Sequence, residues 1–106
     1  LLQFILAYEI KDFLEKNKDF IARIIDSFSR CDSFYECNAS ANCILEIVDM
    51  LDKNHVERIL KAFIENDQIT YAFEAQRLIN LIIKRHKGKI DDDLLKNVND
   101  IMARLR

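Results

Sequence analysis

Residues 20–35, FIARIIDSFSRCDSFY, return in outline at residues 55–70 as HVERILKAFIENDQIT. With the two segments superposed at an offset of 35, Arg23 meets Arg58, Ile24 meets Ile59, Phe28 meets Phe63 and Asp32 meets Asp67. Ile21 with Val56, Ile25 with Leu60 and Phe34 with Ile69 are apolar exchanges. An internal period of about 20–50 residues marks an architecture of stacked units, none of which can bury its apolar face alone. The recurrence continues at an offset of 34, where Ala41, Ile44, Leu45, Ile47 and Val48 align with Ala75, Leu78, Ile79, Leu81 and Ile82.

The recurring segments have helical periodicity. Phe20, Ile21, Ile24, Ile25 and Phe28 form one apolar face, and Val56, Ile59, Leu60, Phe63 and Ile64 form its counterpart. Further helices are expected over Leu2–Glu15, from Ser40 or Ala41 through Leu51, from Ala72 through Ile83, and from the Asp91-Asp92-Asp93 run through Leu105. The chain has no Pro and a single Gly, Gly88, whereas a sheet protein of 106 residues needs turn residues at short intervals. The expected corners are Leu14-Glu15-Lys16-Asn17, Leu51-Asp52-Lys53-Asn54 and His86-Lys87-Gly88-Lys89. Asn is suited to a left-handed helix end or an N-cap, and Gly88 to a left-handed helix end. One carboxylate of Asp91–Asp93 is expected to cap the last helix, and all three favour its positive end.

The predicted fold is therefore all-α, with about six helices as three antiparallel pairs over residues 1–30, 38–66 and 72–106 of a single domain. Paired helices of about 35 residues without fixed motif residues resemble the HEAT-like α-solenoids. The resemblance spans the chain by pattern alone and implies a short right-handed solenoid with an exposed binding surface. Tetratricopeptide repeats need Trp and Pro at fixed offsets, and this chain has neither. Six short helices also resemble a death-fold bundle, so a compact six-helix bundle is the alternative.

Catalytic signatures are missing. There is no GxSxG, HExxH or GxxxxGK[ST] string, and one Gly cannot build a phosphate-cradling loop. His55 and His86 read as solvated surface residues. Cys31, Cys37 and Cys43 have neither the C-x2–4-C spacing of a zinc site nor an H-x3–5-H partner. Their odd number and the lack of a secretion signal predict reduced thiols in a cytoplasmic setting, as two buried small hydrophobes and a loop thiol. No metal or cofactor is expected, and Leu1–Ala7 is too short an apolar run to span a bilayer. A first residue other than Met suggests a piece of a longer protein.

Charge supplies the candidate contact residues. Residues 1–53 carry six basic and ten acidic groups, and residues 54–106 carry ten and eight. The densest cluster is Lys84-Arg85-His86-Lys87-Gly88-Lys89, which suits the negative end of a helix dipole and could also meet phosphates. Arg23 and Arg58 occupy equivalent positions in two units, as a ladder for an acidic partner or as ion pairs with Asp26, Asp19, Glu57 or Asp67. The expected function is non-catalytic protein–protein interaction or scaffolding, with Arg23, Arg58, Lys84, Arg85 and Lys87 as partner-binding residues. The alternatives are a nucleic-acid-contacting domain using Lys84–Lys89, and a regulatory domain appended to an enzyme.

Overall fold

Helix α1, Lys18–Ser29, buries Ile21, Ile25 and Phe28, the spacing expected of one helical face. It belongs to a computed structural model that describes residues 18–105 together with Glu9 and Asp12. The helix expected over residues 2–15 and the corner at 14–17 lie outside the described residues. The other elements are α2 (Phe34–Glu46), α3 (Lys53–Glu65), the single turn α4 (Asp67–Thr70), α5 (Phe73–His86) and α6 (Asp92–Arg104). Short 3-10 turns cover Val48–Met50 and Lys87–Lys89. The fold is all-α; over residues 18–105 it has six helices, and no strand occurs among the described residues.

The helices form two layers. α1 packs on α3 and α3 on α6 in one layer, while α2 packs on α5 in the other. The layers meet where α1 contacts α2 and α3 contacts α5. Side-chain bonds fix the directions. Asn38 Oδ1 near the start of α2 accepts from Glu74 N near the start of α5, and His86 at the end of α5 reaches Val48 just past the end of α2. These two helices therefore run parallel. In the first layer, Asn66 after α3 donates to the carbonyl of Cys31 after α1, and Lys53 at the start of α3 lies 3.9 Å from Asp91 before α6. The cross-links from Asn66 to Cys31, Asn38 to Glu74, and His86 to Val48 join residues 35, 36 and 38 positions apart.

The shared core uses the recurring positions. Phe28 and Phe63, Ile25 and Leu60, and Ile21 and Val56 are all buried. Ala41 on α2 and Ala75 on α5, which occupy equivalent positions in the recurrence, are both fully buried. Substituting large core residues such as Phe28 or Phe63 with Ala would cost about 3–5 kcal/mol.

Several details depart from the sequence reading. α2 begins at Phe34 rather than near Ser40, because Ser33 Oγ accepts from Glu36 N at 3.1 Å, and that N-cap starts the helix six residues early. The helix stops at Glu46, and the expected run to Leu51 tightens into the 3-10 turn. The N-cap of α3 is Asp52, not Asn54: Asp52 Oδ1 accepts from His55 N at 2.9 Å, and His55 Nδ1 accepts from Asp52 N at 3.2 Å. His55 thus completes a reciprocal capping box in the role usually held by Glu.

No described residue has a positive φ. Gly88 leaves α5 through a 3-10 turn closed by Ile90 N donating to Lys87 O, so no left-handed position is needed. Asp91 occupies the N-cap position of α6 but makes no capping bond, and its carboxylate faces Lys53 instead. Asp92 and Asp93 do lie in the first turn, where the dipole favours them.

The cysteines overturn the expectation of reduced thiols. Cys31 and Cys37 are joined in a disulfide with their Cα atoms 5.4 Å apart, and Cys43 is free and exposed on α2. The loop from Arg30 to Ser33 turns the chain back into α2, which brings the first turn of α2 under the end of α1. That reversal, invisible in a C-x5-C spacing, is what pairs the two sulfurs.

Candidate interaction surface

The basic run lies at one end of the second layer. At the C-terminal end of α5, Arg85 Nη1 donates to both carboxylate oxygens of Asp49, at 2.6 and 2.8 Å. His86 is buried, against the surface position expected for it, because its ring fills the space beside the 3-10 turn at Val48–Met50. Its Nε2 lies 2.7 Å from Val48 O; a carbonyl only accepts, so this nitrogen carries the proton. Lys89 Nζ donates to Leu51 O at 3.1 Å. Carbonyls of the 3-10 turn after α2 and of its cap, Leu51, thereby accept bonds from side chains of α5 and the turn after it. Three of the six residues in the basic run bind this chain itself, while Lys84 and Lys87 are exposed.

Lys84 borders a shallow groove of about 530 Å³ between α2 and α5, whose other walls are Asn42, Leu45, Glu46, Arg77, Asn80 and Leu81. The lining mixes charges of both signs with amides and leucines. Arg58 borders a different groove, between α1 and α3 on the first layer, and its Nη2 lies 3.6 Å from Asp26 Oδ1. Asp26 also meets Arg30 at 3.3 Å. Arg23 is exposed on α1. Arg23 and Arg58 thus lie on adjacent helices of one layer, while Lys84, Arg85 and Lys87 lie at the far end of the other. The five residues do not converge on one surface.

At the opposite end of the second layer, large apolar rings face solvent. Tyr35 is 83% exposed and Phe34 52%, at the start of α2; Phe73 is 73% exposed and Tyr71 62%, at the start of α5. The 2.9 Å bond between Asn38 and Glu74 ties these two helix starts together, so the four rings occupy neighbouring positions on one end of the molecule. Beneath them, Asn66 Nδ2 donates to Cys31 O at 3.0 Å, and its Oδ1 accepts from Gln68 N at 3.0 Å. Phe34 and Tyr35 sit inside the short loop closed by the Cys31–Cys37 disulfide. The backbone that presents the rings is therefore anchored on both sides.

Beside the rings along the chain, Asp32, Glu36 and Asp67 are exposed, while Glu65 borders the first-layer groove with Arg58 and Lys61. The nearby cations Arg30 and Arg77 already face Asp26 and Glu74. Isolated exposed apolar residues are ordinary on a protein surface, but four large rings on adjoining helix ends form a patch of the kind that marks an interaction site.

Sequence reasoning missed this cluster. The recurrence pairs Phe34 with Ile69 as an apolar exchange, yet Ile69 is fully buried and Phe34 is half exposed. The available sign was the placement of Phe34 and Tyr35 within the Ser33-x-x-Glu36 capping pattern, in the open first turn of the helix, with Tyr35 off the Cys37, Ala41 and Ile44 stripe.

Among the described residues no helix is long and apolar enough to cross a membrane. No family model matches this chain, and neither a curated protein nor a solved structure matches it.

Proposed function

We propose that this chain is a non-catalytic interaction domain, a short HEAT-like helical solenoid that engages a protein partner through the aromatic end of its second layer. The observation that carries the reading is the exposure of Phe34, Tyr35, Tyr71 and Phe73 on adjoining helix starts. Parallel stacking within each layer, with cross-links between residues 35 to 38 positions apart, supports the repeat interpretation. Rigid aromatic rings lose little side-chain entropy on binding and dominate the energetics of many interfaces. The aromatic end replaces the basic run as the preferred contact site, since Arg85, His86 and Lys89 already bind within the chain.

The cytoplasmic setting rested on reduced cysteines. With Cys31 bonded to Cys37, an oxidising compartment is the better supported setting.

Selection of binders from a random peptide library tests the function. Enriched peptides should bind the native chain and lose about tenfold or more in affinity on a Tyr35→Ser/Phe73→Ser variant. Both side chains are exposed, so the thermal unfolding of that variant should match the native chain. Binding that survives the double substitution would remove the aromatic end from the proposal.

A further inference from the structure

The chemistry around the rings narrows the class of partner. Three exposed carboxylates lie beside the rings along the chain: Asp32 and Glu36 flank Phe34 and Tyr35, and Asp67 lies one helical turn before Tyr71. The starts of α2 and α5 also point their helix dipoles there, each equivalent to roughly half a positive charge. That positive contribution is smaller than the negative charge of the exposed carboxylates. The two neighbouring arginines are no counterweight, since Arg30 lies 3.3 Å from Asp26 and Arg77 lies 3.5 Å from Glu74. The surface therefore combines electron-rich ring faces with a negative fringe. Ring faces attract cations through the aromatic quadrupole, and the attraction grows when the cation is shielded from water. A neighbouring carboxylate adds a direct charge interaction, strongest at low ionic strength.

We propose that the aromatic end docks a basic protein segment in which lysine or arginine alternates with apolar side chains. The cations would lie over Tyr35, Tyr71 or Phe73 near Asp32, Glu36 and Asp67, and the apolar residues would cover the ring edges. This proposal rests on the interaction reading above and specifies its partner. An acidic segment would meet the carboxylates with like charge. A purely apolar segment would leave those carboxylates next to a surface that offers them nothing.

The test uses three synthetic peptides of equal length that alternate Leu with Lys, Leu with Gln and Leu with Glu. Binding to the native chain is followed by fluorescence anisotropy and by NMR shifts of the four aromatic residues. The Lys peptide should bind at least tenfold more tightly than the Glu peptide. It should weaken several-fold as salt rises from about 0.05 to 0.5 M. An Asp32→Asn/Asp67→Asn variant should weaken it several-fold, and Tyr35→Ser/Phe73→Ser should abolish it. If the Gln peptide binds equally well and the carboxylate variant changes nothing, the basic partner is wrong while the aromatic interface stands. If none of the peptides shifts the aromatic resonances, both readings fall. Flotation with phosphatidylcholine or phosphatidylserine vesicles, lost on Tyr35→Ser/Phe73→Ser, would assign the surface to a membrane and overturn the proposal. A concentration-dependent dimer lost in the same variant would assign it to a second copy and also overturn it.

Discussion

The two ends of the second layer present different side chains, a basic run at one and aromatic rings at the other, and use them in opposite ways. At the C-terminal end, Arg85, His86 and Lys89 reach Asp49, Val48 and Leu51 and close the end of α2. A charge run that looks available in sequence is there largely engaged. At the N-terminal end, Ser33, Asn38, Asn66 and the disulfide hold the backbone, and the aromatic side chains above them extend into solvent. Charge density alone is thus a poor guide to a contact surface. What distinguishes the ends is whether the prominent side chains satisfy backbone groups of their own fold.

Substitutions at the two ends should separate accordingly, in stability first and in binding second. The largest stability loss is expected for His86→Ala, which leaves a cavity and removes the 2.7 Å bond to Val48 O, leaving that oxygen the longer bond from Leu51 N. A cost of about 2–4 kcal/mol should appear as a lower urea midpoint. A loss below about 1 kcal/mol would mean that the basic end is not held together through this ring.

Replacing Cys31 and Cys37 with Ser should cost about 2 kcal/mol, as expected for a short closed loop. Amide hydrogen exchange should then quicken first around residues 31–37 and leave α6 protected. Uniform loss of protection would show instead that the bridge supports the whole fold and not one end. Arg85→Ala should cost no more than about 1 kcal/mol, because its ion pair with Asp49 is exposed. Oligonucleotide binding at low salt that disappears in Lys84→Glu/Lys87→Glu would restore the basic end as a contact surface and undo the contrast.

Periodic burial is what the sequence recorded most clearly. Ile21, Ile25, Phe28, Val56, Leu60 and Phe63 repeat because each helix of the first layer meets the same kind of neighbour, and that requirement leaves an apolar stripe. All-α content was equally legible, since a chain with no Pro and one Gly lacks the turn chemistry of sheets. The capping residues were partly legible. Ser33 with Glu36 follows the familiar spacing, but His55 in the box with Asp52 does not, because His seldom holds that role.

Features that depend on distant segments left no readable sign. His86 is buried only because the turn at Val48–Met50 arrives beside it, 38 positions away in sequence. Cys31 meets Cys37 because the chain reverses between them, and spacing does not encode a reversal. Phe34 and Ile69 show the same point from the other side. They align in the repeat, yet one lies outside and the other inside, because the segments that follow them fold differently: α2 continues for thirteen residues and α4 stops after four.

The Cys31–Cys37 bridge also changes what a cut in the chain would do. Phe34 and Tyr35 are exposed aromatic residues near a turn, the type of site that proteases selective for aromatic side chains attack. Any single scission between positions 31 and 37 leaves both fragments covalently joined through sulfur. A nicked molecule would migrate as one band without reductant and as two with it.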